Sequence, residues 1–351
     1  MSLTKASNQI IQQPYSRNTI INGDFNMWQR STSIATAPEA AMAADKFELG
    51  KSNDGVVTIS RSTDTPSSVG FNYSHDLLVT TADTSLASGQ YTSILYRIEG
   101  YDCLRFIGNT ITLSFWVKSK VAGTYHVSLR KGLQQTDIRT CAKAYTINNA
   151  DTWEYKAITF PIFVPSTIGG TWNFTAGQGL NIWWSLGQGS TYTGALDAWS
   201  SSNVLGGAGQ VNIMNSINNY FRITGIQMEI GNTATPFEYK HISDTVRLCQ
   251  RYYETGYGHW LSNYTGPGVY FDIVQFCTSK RISPTIVFVS PATGASARIR
   301  NASAGSDVTV TGIPPTTLNG YTGPIPTSES MLDMNSYSWL WYASAELIWS
   351  D

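Results

Sequence analysis

From about Asn18 to Ile230 the chain alternates apolar and polar residues in short runs, with little helical periodicity. The clearest run is ITLSFWVKS at 111–119. There Ile111, Leu113, Phe115 and Val117 fall on one side, and Thr112, Ser114, Trp116 and Lys118 on the other. GVVTIS and HDLLVT precede it; TYHVSLR, WEYKAITFPIFVP and LNIWWSLGQG follow. YFRITGIQMEI carries Gly225 inside it, the mark of a bulge. Gly, Ser, Asn and Asp separate these runs, a pattern that predicts an antiparallel β-sandwich. SSSNVLGGAGQ, 200–210, reads as a flexible loop inside that sandwich.

One helix is predicted, Asp244 to Tyr253. Ser243 or Asp244 caps its start, Val246, Leu248, Cys249 and Tyr252 or Tyr253 form its apolar face, and Gly256 ends it. Strand patterns then return in GVYFDIVQFC, PTIVFVSP, SARIRNAS and DVTVTGI, while GYTGPIPTSES reads as a Gly/Pro loop. In the closing SWLWYASAELIWS, Trp339, Trp341, Ala343, Ala345, Leu347 and Trp349 share one face, and Leu340, Tyr342 and Ile348 the other. Both faces are apolar, so this strand is expected to be central or covered. The fold class is all-β: an N-terminal antiparallel β-sandwich, a short linking helix and a second, smaller β-sandwich. The expected divisions are an arm (1–17), the sandwich (18–242), the linking helix (243–255) and a C-terminal β domain (256–351).

Composition narrows the function. Lys plus Arg is 23 and Asp plus Glu is 24, a net charge of -1, which argues against a nucleic-acid binder relying on a basic surface. Charged residues are 13% of the chain, against about 25% in ordinary soluble domains. Aromatics are 12%, with 11 Trp and 19 Tyr. This is the palette of β-rich extracellular and virus-surface proteins. No signal peptide and no membrane-inserting run is visible, a combination that a particle released by lysis explains. Cys103, Cys141, Cys249 and Cys277 are too scattered for a metal knuckle, and a Cys249–Cys277 disulfide stays open.

No catalytic residue is expected. The four histidines form no metal-ligand or nucleophile pattern, and neither a P-loop nor a GxSxG phrase occurs. The chain is therefore expected not to be an enzyme. Tryptophan faces that stack on sugar rings are the better candidates. Trp116 lies on the polar side of its strand, and Trp183 opposes Ile182 and Trp184. Trp172 and Trp199 lie in polar, loop-like segments. The competing reading is that each packs in a core or a subunit interface.

NTIINGDFNMWQR near the start, TGIQMEIGNTATPFEYK, and LCQRYYET after it together resemble bacteriophage tail-fibre and virion surface proteins. In that group a carbohydrate-binding-like, galactose-binding-like jelly roll opens on the first phrase and closes on the second. A Cys-Gln-Arg-Tyr-Tyr helix and a small C-terminal β domain follow. AADKF, TLSFWVKS and the opening MSLTKAS fit the same set. The resemblance implies a jelly roll and a virion-surface location, on the tail or the capsid exterior. It implies a homotrimer anchored to other virion proteins through the arm. The partner it implies is host surface polysaccharide, bound by a tail fibre or receptor-binding protein. Nucleic acid and membrane insertion are not expected. The resemblance also implies a structural Ca2+ held by Asp24, Glu229 and Asn26, although Asn26 stands where some relatives have an acid. Without a metal, Asp24 caps a turn and Glu229 pairs with an arginine such as Arg30 or Arg222. Two rival roles remain: a purely structural virion component (head decoration, head fibre or tail adaptor) and a polysaccharide depolymerase with two close carboxylates.

Overall fold

The computed structural model describes residues 16–67, 69–132, 137–261, 266–267, 271–325, 327, 330–331 and 336–347. Eleven strands precede the helix: β1 (Ser33–Ile34), β2 (Phe47–Lys51), β3 (Val56–Ser62), β4 (Ser74–Thr81), β5 (Tyr91–Glu99), β6 (Ile111–Ser119), β7 (Gly123–Lys131), β8 (Thr140–Ile147), β9 (Glu154–Phe160), β10 (Gln178–Gln188) and β11 (Tyr220–Ile230). One-turn helices α1 (Gly100–Cys103) and α2 (Pro165–Ile168) interrupt them. The strands form two antiparallel sheets, a six-stranded one in the order β1-β3-β4-β11-β6-β9 and a five-stranded one in the order β2-β5-β10-β7-β8.

The predicted alternation holds. Ile111, Leu113, Phe115 and Val117 turn inward and are fully buried. They meet Phe47, Leu129, Ile182 and Trp184 of the facing sheet, with the Phe115 and Trp184 rings edge-on at 6.0 Å. The sequence reading lacks β1, β2, β5 and β8. Strand β5 is buried at all nine positions, so it shows no alternation to read.

The opening and closing phrases of the resemblance lie against each other. Asn18 Oδ1 accepts from the backbone N–H of Ile20 (2.9 Å) and Met228 (3.1 Å), and its amide donates to Ile226 O (3.1 Å). Along the exit phrase, Glu238 accepts from the Asn18 N–H (2.6 Å) and Ser16 Oγ (2.6 Å). Lys240 Nζ donates to the carbonyls of Asn18 (2.8 Å) and Ile20 (3.2 Å). Residues 1–15 of the expected arm lie outside the described residues.

The helix is α3 (Ile242–Gln250), shorter and earlier than expected. His241, not Ser243 or Asp244, caps it, its ring nitrogen accepting from the Ser243 N–H at 3.3 Å. The helix stops before Tyr253 because Tyr252 and Tyr253 are already buried, and β12 (Tyr253–Leu261) starts at once. The remaining strands are β13 (Gly266–Pro267), β14 (Phe271–Gln275), β15 (Thr285–Val289), β16 (Arg298–Asn301), β17 (Ser306–Thr309), β18 (Thr316–Thr317), β19 (Gly320–Pro324), β20 (Ser330–Met331) and β21 (Ser336–Ser344). The expected Gly/Pro loop therefore contains a strand, β19, which pairs with β14. Strand β21 is central, flanked by β12, β15 and β16, and buries Trp339 and Trp341 in a second core. Trp349 and Ile348 lie outside the described residues. All four cysteines are free, so Cys249 and Cys277 are not bridged.

An ionic seam joins the two β units. Arg251 grips Glu99 (2.5 and 2.9 Å), and Arg30 bonds Glu346 (2.8 Å) and Asp45 (3.3 Å). Arg281 donates to the carbonyls of Ala176 (2.7 Å), Ala345 (2.9 Å) and Glu346 (2.8 Å). Lys46 sits 3.4 Å over the Tyr252 ring, and burial lowers its ammonium to about 8. Leu347, Cys249 and Tyr252 belong to the first sandwich's core. The final described residues thus fold back past the C-terminal unit onto the jelly-roll side.

Candidate functional site

On the outward face of the six-stranded sheet lies a cleft of about 700 Å3, within the range of ligand pockets. Trp116 of β6 and Tyr155 of β9 are register partners, and their rings sit 5.4 Å apart on one side. Ala234, Thr235, Pro236, Phe237 and Tyr239 of the exit phrase form the other. Phe71 packs behind that wall, 5.1 Å from Phe237 and 5.7 Å from Tyr239. The wall arises from alternation within PFEYK: Phe237 and Tyr239 point to the cleft, while Glu238 and Lys240 point back to the Asn18 region. Tyr239 donates its hydroxyl to Val69 O, which fixes the ring while leaving the residue 53% exposed.

Gly225 is the floor. The bulge expected there is present: the β11–β6 register shifts between Thr224 and Gln227, and Gly225 has φ +62°. A Cβ at Gly225 would lie 2.5 Å from Phe71 and 3.2 Å from Trp116. Only glycine combines this backbone conformation with the close approach of the two walls.

Next to the aromatic cleft is an ionic group. Asp64 Oδ2 accepts from Lys118 (2.8 Å) and Arg222, its Oδ1 accepts from Trp153 (2.9 Å), and Arg222 also donates to Asp76 (3.0 Å). Partial burial pushes the Asp64 carboxyl up, but the bonds from Lys118 and Trp153 outweigh it and hold it below the usual range. Burial raises Asp76, which Arg222 offsets in part.

Of the four expected platforms, Trp116 alone lines this cleft. Trp183 does face outward from its sheet, as expected, but it is 1% exposed beneath Leu205, with Tyr91, Leu95 and Tyr192 around it. The loop read as flexible is its roof: Gly206 lies so close to the sheet that a Cβ would come within 2.6 Å of Gln188 and 2.8 Å of His126. Trp172 and Trp199 pack on Phe163 at 4.8 and 5.8 Å and on each other at 6.0 Å. Both are partly buried against the first sandwich's core. Tyr155, Phe237 and Tyr239 were missed. Tyr155 was legible in the outward positions of WEYKAITF, whereas Phe237 and Tyr239 were read only as an exit turn.

The residues proposed for calcium do not fit a cation cage. Glu229 is saturated by protein donors: Gln227 Nε2 (2.8 Å), the Thr235 N–H (2.9 Å) and Thr235 Oγ1 (2.7 Å). Its cationic neighbour is Arg17 at 3.6 Å; Arg30 and Arg222 are engaged elsewhere. Asp24 accepts from Asn26 at 2.6 Å and lines a small recess with Lys240, whose ammonium takes the carbonyl oxygens there. No cluster of three His, Cys, Asp or Glu gathers among the described residues.

No family model matches the chain, and no curated protein matches its sequence. Among solved structures it is similar to the enzymatically active domain of bacteriophage CBA120 tailspike protein 4, at 16% identity and a TM-score of 0.34. That match covers 61% of this chain and 22% of the tailspike chain. It is also similar to the family 11 carbohydrate-binding module of a cellulosomal cellulase of Clostridium thermocellum (11% identity, 59% and 99% coverage, TM-score 0.30). A third is a xylan-binding domain of Paenibacillus barcinonensis Xyn10C (16%, 52% and 91%, 0.30). At these TM-scores the likenesses assign neither a ligand nor a chemistry to this chain.

Proposed function

We propose that this chain is a glycan-binding protein of a phage particle's surface, a tail fibre or receptor-binding protein that holds host polysaccharide without covalent chemistry. The observation that carries the binding is the open aromatic cleft of Trp116, Tyr155, Phe237 and Tyr239 over Gly225. Flat rings on both walls, one of them 43% exposed at Tyr155, match the apolar face of a pyranose. The phage setting rests on the paired phrases around Asn18 and Pro236. A single such cleft binds weakly, and a homotrimer raises avidity through effective concentration. The test is titration of the purified protein with intact host cells and extracted surface polysaccharide, read by tryptophan fluorescence and cell sedimentation. Saturable binding lost in Trp116→Ala, with no reducing ends released, supports the reading. Absence of binding by the confirmed oligomer moves the assignment to a structural virion component. Release of reducing ends moves it to a depolymerase.

A further inference from the structure

The outward face of the six-stranded sheet does not end at the aromatic cleft. Trp116 pairs with Thr224 and Tyr155 in one cross-strand row. Two residues further along β6, Lys118 pairs with Arg222, and Arg222 pairs with Asp76 of β4. Side chains two positions apart on one strand face are about 7 Å apart, close to the length of one sugar unit. The second row therefore lies one step along the strands from the stacking ring. Asp64, from the connection between β3 and β4, completes it.

This row is partly open to solvent, with side-chain exposures of 17% for Lys118, 32% for Asp64, 21% for Arg222 and 11% for Asp76. It also keeps hydrogen-bonding capacity in hand. Among the described residues, Arg222 uses Nε and Nη1 on Asp76 and Asp64 and lays its guanidinium 4.3 Å over the Tyr220 ring, with Nη2 left over; Asp76 uses Oδ1, with Oδ2 left over. Lys118 directs one bond to Asp64 and has further N–H donors. The row thus offers donors and acceptors side by side. Two cations and two carboxylates are interlocked, so it carries no net charge. A pair of vicinal hydroxyls, each both donor and acceptor, matches such a row. A sugar carboxylate does not: it would add a third negative charge beside Asp64 and Asp76.

We propose that the cleft continues along β6 and β11 into a polar subsite formed by Lys118, Arg222, Asp64 and Asp76, and that the ligand spanning both is an uncharged oligosaccharide with vicinal hydroxyls. This rests on the stacking role given to Trp116 above. It adds a minimum length of two sugar units and a preference for neutral over acidic glycans.

The experiment is calorimetric titration of the full chain with neutral hexose oligomers of one to six units and with oligogalacturonides of the same lengths. Wild type, Asp64→Asn, Lys118→Gln and Trp116→Ala are compared, with melting curves confirming that each variant folds. The expected result is a trimer affinity about tenfold or more above that of the monosaccharide in wild type. That ratio falls severalfold in Asp64→Asn and Lys118→Gln, and oligogalacturonides bind more weakly than neutral oligomers. A purely structural role for the two residues would leave the length ratio unmoved. A wild-type ratio near one, an unchanged ratio in both variants, or tighter, salt-sensitive binding of oligogalacturonides overturns the polar subsite. If Trp116-dependent binding survives in those cases, the stacking cleft stands alone. If no oligomer of either series binds, the cleft reading and the subsite fall together.

Discussion

Trp116 and Trp183 occupy equivalent situations on opposite sheets. Each sits on the outward face of a long β-strand, next to inward residues that build the same core. Trp116 looks onto an open cleft, whereas Trp183 lies under a glycine-containing loop, with Arg130 5.4 Å from its ring and Leu205 against it. Strand alternation determines which way a side chain points. What covers it is decided by a segment many residues away. An outward tryptophan is a platform only where no loop returns over it.

The largest expected contrast comes from deleting the two rings. Trp183→Ala empties a sealed site and should cost about 3–5 kcal/mol in denaturant unfolding. Equal losses for Trp183→Ala and Trp116→Ala would mean the roof does not enclose Trp183.

Acid probes the inner side of the six-stranded sheet. His75 packs between Phe25 and Trp28 with Nδ1 unpartnered, and burial lowers its imidazole to about 4 from 6.5. The unfolded chain takes up this proton first, so stability is complete above pH 6.5 and declines as the pH falls toward about 4. The loss is worth roughly 3 kcal/mol, and His75→Gln should flatten the stability–pH curve across that window. On the roofed side, His126 bonds Gln210 at 2.5 Å, and burial lowers its imidazole too. A curve flattened more by His126→Gln than by His75→Gln would reverse this ordering.

Glycine substitutions separate the faces by function. Gly225→Ala meets both the left-handed backbone and the Phe71 ring, and should cost about 1–3 kcal/mol while weakening glycan binding. Gly206→Ala crowds the roof, so its effect should appear in melting and not in binding. Glycan binding weakened by Gly206→Ala and untouched by Gly225→Ala would place the site beneath the roof. The smallest stability change is expected for Trp116→Ala, about 1–2 kcal/mol in the same unfolding assay, because a ring partly open to the cleft buries less area than a sealed one. Its affinity loss for polysaccharide should nevertheless reach about tenfold.

The sandwich was legible because β3, β4, β6, β7, β9 and β11 each bury one face and leave the other polar. Strand β5, buried on both faces, lacked that signature, and β19 hid behind its glycines and proline. Half of the candidate site could be read in the same way, through Trp116 and the bulge at Gly225. The other wall could not, since Phe237 and Tyr239 follow Pro236 in a segment with no regular strand, and their orientation depends on Glu238 and Lys240 reaching back to residues 18–20. The acids named for calcium show the same limit. The closing phrase carries Thr235 and Lys240 as well as Glu229, but that Thr235 bonds Glu229 and Lys240 reaches the carbonyls of residues 18 and 20 is set by the folded exit turn and not by the spacing of the acids.

The ionic seam sets how the molecule transmits force. Arg251 on Glu99, Arg30 on Glu346, and Arg281 on the carbonyls of residues 176, 345 and 346 cross the joint at separate points, and Leu347 is anchored in the jelly-roll core. A joint pinned at several points resists torque as well as tension. On the proposed function, whatever grips the C-terminal unit would also aim the cleft, and the pull of a ligand on Trp116 would reach that unit through this joint.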